Sequence, residues 1–114
     1  MKQPAYEYKA KFISNHDADT CTLAVDVGFG ITIKEIFRLF GINAPEMKGD
    51  TLEESRRGRD VLKAKLEGQD LIVRTHKAKE KFGRYLCEIQ IPGESMTVND
   101  WLVANGYAVE YMRE

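Results

Sequence analysis

The stretch TCTLAVDVGFGITIKEIFRLFGI, Thr20 to Ile42, decides the fold. Over TCTLAVDV, Cys21, Leu23, Val25 and Val27 share one face, and Thr20, Thr22, Ala24 and Asp26 take the other. A period of two marks a half-buried strand. GFG, Gly28 to Gly30, is a turn by its glycines. ITIKEIFRLFGI resumes strand character, and its alternation slips at Lys34–Glu35, which predicts a bulge. The two strands form a hairpin. One residue sits oddly in it. Arg38 stands among Phe37, Leu39, Phe40 and Ile42, and a buried guanidinium is costly unless an anion meets it.

Working outward, YEYKAKFI (Tyr6 to Ile13) predicts a strand before the hairpin. After it, NAPEMKG (Asn43 to Gly49) is irregular, because Pro45 has no amide donor and biases Ala44 toward extended backbone. TLEESRRGRDVLKAKLEG (Thr51 to Gly68) predicts a helix. Thr51 and Glu54 have capping-box spacing, Leu52, Ser55, Arg59, Leu62 and Leu66 fall near one face, and Gly68 suits the stop. Gly58 inside this helix costs about 1 kcal/mol relative to Ala, which points to the close approach of another backbone.

DLIVRTH (Asp70 to His76) predicts a strand and KAKEKFG (Lys77 to Gly83) a loop. RYLCEIQI predicts a strand with Tyr85, Cys87, Ile89 and Ile91 on one side. TVNDWLVANG is a short helix capped by Thr97, with Val98, Trp101 and Leu102 as its apolar face and Gly106 at its end. YAVEYM alternates again as a short final strand. Three strands, a helix, two strands and a second short helix is a mainly β, α+β order. It is the order of an OB-fold, a five-stranded Greek-key barrel.

The 114 residues fit one domain, 1–114, large enough for one core and too small for two. With 17 basic and 18 acidic side chains the net charge is -1, so any nucleic-acid footprint must be local. Cys21 and Cys87 form no CxxC and read as reduced strand cysteines, not as a disulfide framework or zinc ribbon. The opening MKQPAYEYKAKF lacks the apolar region of a signal peptide, and no apolar run has the length of a membrane span. The expectation is a cytoplasmic protein with no membrane partner, with secretion of a processed form left open.

Three clusters carry possible chemistry. In HDADT, Asp17 and Asp19 point the same way in an extended chain and repel unless a cation lies near; a polar turn is the alternative. Arg38 and Glu46 are joined by a turn stiffened by Pro45. They make either an internal ion pair or a site for an anion and a metal. In RTHKAKEKFGR, Arg74, Lys77, Lys79, Lys81 and Arg84 face one acid, Glu80. That is either a solvated loop or an arm that tracks phosphates, with Phe82 as a stacking surface. His16 and His76 lack zinc-site spacing and read as solvent-side residues.

These segments resemble the staphylococcal nuclease (thermonuclease) family over about Lys9 to Tyr111. HDADT resembles its D-G-D-T, with Ala18 for glycine. FRLFGINAPE resembles R-L-x-x-x-D-[TA]-P-E, EKFGR resembles D-K-Y-G-R, and MTVNDWLVANGYA resembles its M-V-N-x-x-L helix. The resemblance implies an OB-fold nuclease that uses calcium and cleaves the 5′-oxygen side of DNA and RNA phosphodiesters with little sequence preference. It implies single-stranded nucleic acid as the favoured partner and no obligate protein partner. Asp19, Asn43 and the Ala44 carbonyl match the metal ligands, with Asp17 the carboxylate behind them. Arg38, Glu46 and Arg84 match the catalytic residues, and Lys81 and Phe82 match contacts to the nucleotide.

Asn43 stands where the family usually has aspartate, which keeps an oxygen but removes a charge, so weaker calcium binding or another metal preference is expected. Phe82 for tyrosine keeps a face and loses a hydroxyl. The family's C-terminal helix is expected to be absent. The alternative is a catalytically weak or inactive OB-type module that binds single-stranded nucleic acid. Family domains that have lost activity typically lose the arginines or the glutamate, and Arg38, Arg84, Glu46 and Asp19 all stand here.

Overall fold

A computed structural model describes residues 6–79 and 82–111, with the side chains of 77 and 78 left out. Strand β1 (Tyr6–Asp17) pairs antiparallel with β2 (Thr20–Gly28), and β2 with β3 (Ile31–Leu39). β5 (Leu71–Lys79) pairs antiparallel with β1 and with β6 (Tyr85–Gln90). A short parallel contact, Phe37–Leu39 of β3 against Tyr85–Cys87 of β6, closes a five-stranded barrel in the order β1-β2-β3-β6-β5. Helix α1 (Leu52–Leu66) follows β3, and α2 (Val98–Ala104) follows β6. β4 (Ile42–Asn43) pairs with β7 (Val109–Glu110) outside the barrel. This is the mainly β, OB-like architecture that the element order predicts.

The inward set of each strand is the apolar set of its period-two pattern. Leu23, Val25, Leu39, Val73, Cys87 and Ile89 are buried together, with Leu62, Leu66 and Leu102 closing over them from the helices. Both cysteines are free and buried, and burial pushes the Cys21 thiol up to about 12. None of the helices among the described residues is long and apolar enough to cross a membrane.

Four expectations need correction. The β2–β3 register shifts only at Asp26/Gly28, so no bulge falls at Lys34–Glu35. Glu35 keeps the inward parity of Ile33 and Phe37 instead, and the slip in pattern is a carboxylate at an inward position. β5 runs on to Lys79, taking in the start of the expected loop, because Lys79 pairs across to Tyr85 after an irregularity that begins at Thr75. Thr51 makes no capping box. A 3₁₀ turn, Gly49–Thr51, leads into α1 and leaves Thr51 at φ -97°, ψ 4°, away from the extended geometry of a cap. His76 is half-buried, its ring 4.3 Å from that of Phe40. The Thr97 cap does form, its hydroxyl accepting from the Asp100 amide at 3.1 Å.

Candidate functional site

A cavity of about 890 Å³ opens where the β1–β2 turn, the end of β3, β4 and the start of β6 meet. Asp19 is its hub. The turn is narrow because Asp17 pairs with Thr20 across it, and the Asp17 carboxylate accepts from the Asp19 amide at 3.0 Å. The Asp19 carbonyl in turn accepts from the Leu39 amide at 2.8 Å, which fixes the turn to β3. In the β2–β3 register Thr20 faces Arg38, so the guanidinium arrives beside the carboxylate.

Arg38 therefore meets an anion. Its Nη1 lies 2.6 Å from Asp19 Oδ2, with side chains only 14% and 9% exposed. This nitrogen meets no hydrogen-bond geometry, so the contact is charge pairing in a shielded place. Nη2 donates to the Ile42 carbonyl at 3.0 Å and to Asn43 Oδ1 at 2.8 Å. The Ala44 amide donates to Asp19 Oδ2 at 2.7 Å. The Thr20 hydroxyl donates to Asp19 Oδ1 at 3.0 Å and accepts from Arg84 Nη1 at 3.2 Å. One carboxylate thus holds one arginine directly and the other through a hydroxyl.

The electrostatics of the two aspartates diverge. Burial, helped by the hydrogen bond and like charge of Asp19, pushes Asp17 up to about 6. Burial also lifts Asp19, but contacts from Asp17, the Ala44 amide, Arg38 and Thr20 outweigh it and hold Asp19 below its ordinary value.

The remaining candidates lie around this hub. Glu46 lines the same cavity, but its carboxylate is 72% exposed and pairs with Lys48 at 3.2 Å instead of Arg38. Phe82 is exposed, with the Arg84 guanidinium 5.6 Å from its ring centre. Lys81 lies outside the described residues. In the basic arm, Arg74 is engaged by Glu7 at 2.7 Å, and Lys79 lies 5.3 Å from the centre of the Tyr85 ring.

The oxygen donors of Asp19, Asn43 and the Ala44 carbonyl are of the kind that a calcium-like ion takes. In charge the set is poor, because Asp19 is the one carboxylate among these donors. No group of three or more His, Cys, Asp or Glu suited to a metal occurs among the described residues. In the observed arrangement the Arg38 guanidinium takes the counter-ion's place on Asp19, and Ala44 turns its amide toward that carboxylate. The donors fit a hard divalent ion, and an ion must compete with Arg38 for Asp19.

Several residues that line or brace the site escaped the sequence reading in those roles. Thr20 bridges Asp19 and Arg84. Tyr111 lines the cavity, 5.9 Å from the Arg38 guanidinium, and is placed when its amide donates to the Gly41 carbonyl beside the β4–β7 pair. Thr51 donates to the Glu46 and Lys48 carbonyls at 2.6 and 2.9 Å, tying the Glu46 loop to the start of α1. Asn99 is buried and staples α2 to the barrel, accepting from the Ile89 amide at 3.1 Å and donating to the Phe40 and Cys87 carbonyls. The strand pattern gave no signal for contacts that depend on tertiary pairing.

Comparison with curated proteins found no match. A family model matches residues 36–114, which is more than half of the chain; its description is Staphylococcal nuclease homologue.

Proposed function

This chain belongs to the staphylococcal nuclease family, a family of nucleases and nucleic-acid-binding domains, and from that premise we propose that it is a metal-dependent nuclease hydrolysing phosphodiester bonds of DNA and RNA. The observation that carries the reading is the convergence of Arg38 and Arg84 on Asp19, the latter through Thr20. Two guanidiniums held at one side of an open cavity can meet one phosphate. Bidentate donors of this kind suit the spread charge of a pentacoordinate phosphorus.

In the reaction, water adds to phosphorus and the bond to the 5′ oxygen breaks, with a proton passing from water to the departing oxygen. Glu46 orients and deprotonates the water, its backbone held by Thr51. Arg38 and Arg84 neutralise the phosphoryl oxygens. Asp19, Asn43 and the Ala44 carbonyl would hold the divalent ion, which when bound supplies Lewis-acid polarisation of the phosphate. Phe82 and Tyr111 offer exposed faces to bases on a single strand.

One observation favours a second reading, a binding module. Glu46 stands exposed and pairs with Lys48, whereas Arg38 pairs with Asp19. Incubation with denatured DNA in calcium and then in excess chelator separates the two. Degradation in calcium that stops with chelator is expected. Degradation that continues in chelator sinks the metal requirement, and tight binding without cleavage in calcium, magnesium or manganese favours the module.

A further inference from the structure

Glu35 is unexplained by the site above. It sits at an inward position of β3, between Ile33 and Phe37, where the barrel pattern calls for an apolar residue. It is tolerated because the barrel is open there. β3 pairs with β6 only over Phe37–Leu39, so the earlier part of β3 is held by β2 alone and a mouth opens on its other side. The mouth is a cavity of about 260 Å³ whose lining includes Tyr6, Tyr8, Tyr85, Val25, Val27 and Glu35. Mouths of barrels are common ligand sites, and a few polar groups among aromatic walls set orientation.

We infer that this mouth is a second base-binding subsite, taking the nucleobase next to the phosphate held by Arg38 and Arg84. The inference rests on the nucleic-acid reading of the site. Adjacency supports it. Phe40 lines the larger cavity, His76 lines the mouth, and their ring centres are 4.3 Å apart, so one layer of side chains divides the two. Arg84 and Tyr85, neighbours in sequence, line one cavity each. A strand crossing this wall puts one base among the tyrosines, while Lys79, beside the Tyr85 ring, offers a cation to its backbone. The Glu35 carboxylate only accepts hydrogen bonds, so it favours cytosine, whose amino group donates from the corner of the ring, over thymine, whose one donor, N3–H, lies between two carbonyl oxygens that repel a carboxylate.

The test uses the full chain carrying Glu46→Gln to suppress cleavage, with fluorescence anisotropy on labelled single-stranded oligo-dC and oligo-dT. The expected result is about threefold or more tighter binding of oligo-dC, as one amino–carboxylate contact would give. Glu35→Gln, nearly isosteric, keeps an acceptor for cytosine but adds a donor for thymine O4 and drops the negative charge, so it removes the preference by raising oligo-dT affinity toward that of oligo-dC. Tyr6→Ala, at a half-exposed position, weakens both about fivefold or more by loss of stacking. If oligonucleotides bind in an Arg84-dependent way but ignore Glu35 and Tyr6, the mouth is no base site and the larger site stands. If no oligonucleotide binds at all, the nucleic-acid reading fails and this inference with it. Binding of oligolysine that depends on Glu35 and displaces no oligonucleotide also overturns it, assigning the mouth to a basic peptide.

Discussion

Asn43 gives Arg38 a neutral acceptor where a carboxylate would give it a second counter-ion. An added charge among the donors favours a divalent ion, and at partly shielded sites one charge is worth about tenfold or more in affinity. Asn43→Asp is therefore expected to lower the calcium concentration for half-maximal DNA cleavage by about tenfold. An unchanged calcium titration would show that Asn43 is no ligand. Thr20 carries the link between Asp19 and Arg84, a hydrogen bond to charged groups on both sides. Such bonds are worth about 1.5–3 kcal/mol, so Thr20→Val is expected to reduce kcat/KM roughly tenfold to a hundredfold. A loss confined to thermal stability would remove Thr20 from the site.

Asp17 makes a pH prediction at the same scale. Its carboxyl is raised from 3.8 to about 6, so the folded chain holds that proton more tightly than the unfolded one. Its contribution to stability is whole below about pH 4 and is lost as pH rises through 6. Asp19 is lowered, so its contribution holds above its ordinary range and fades only as pH falls below it. Between about pH 4 and 6 the metal-free wild type should lose stability relative to Asp17→Asn as pH rises. Thermal melts in chelator across that window check this, and parallel slopes for the two proteins contradict it.

At the scale of elements, α1 is docked on the HDADT turn through Gly58. A methyl placed on Gly58 would lie 3.1 Å from the Ala18 side chain and 3.7 Å from the Tyr107 carbonyl. The turn has little room to yield, because Asn15 donates both to the Asp17 carbonyl at 3.1 Å and to the Arg59 carbonyl of α1 at 2.8 Å. Gly→Ala gains about 1 kcal/mol in helix propensity, whereas overpacking a tight site costs about 1–3 kcal/mol. Gly58→Ala should therefore destabilise the wild type, yet stabilise a chain already carrying Ala18→Gly. Urea unfolding of the four proteins of this cycle measures the change of sign, and additive effects would refute the contact.

This docking was half legible in the sequence. A costly glycine announced a close approach, but not that Ala18, where the family has glycine, is what approaches. The hairpin, both helices and the barrel order were legible because strict alternation and glycine stops are local signals. The Thr51 contacts to the Glu46 loop and the staple at Asn99 were not, since each depends on a carbonyl that only the folded chain brings near.

For the whole molecule, the net charge of -1 sets an expectation for affinity. Arg74 is already shared between Glu7 and Glu88, at 2.7 and 3.8 Å, so the basic arm offers fewer cations than its sequence suggests. Few phosphate contacts mean a shallow salt dependence, with a log–log slope of about -2 to -3 on single-stranded DNA. Anisotropy across a salt series reads it, and a much steeper slope would place more of the chain on the backbone than this site does. The candidate site was legible to the extent that its residues fall in short motifs. Its charge state was not, because nothing local says that Arg38 rests on Asp19 and Glu46 on Lys48.

The claim that this site hydrolyses phosphodiesters turns on Glu46 and water. The measurement is the initial rate on denatured DNA in saturating calcium for wild type and for Glu46→Gln, a change at an exposed side chain outside the core. A loss of about a hundredfold or more in kcat, with DNA affinity kept, is predicted for a missing general base. A Glu46→Gln rate equal to wild type would contradict the account.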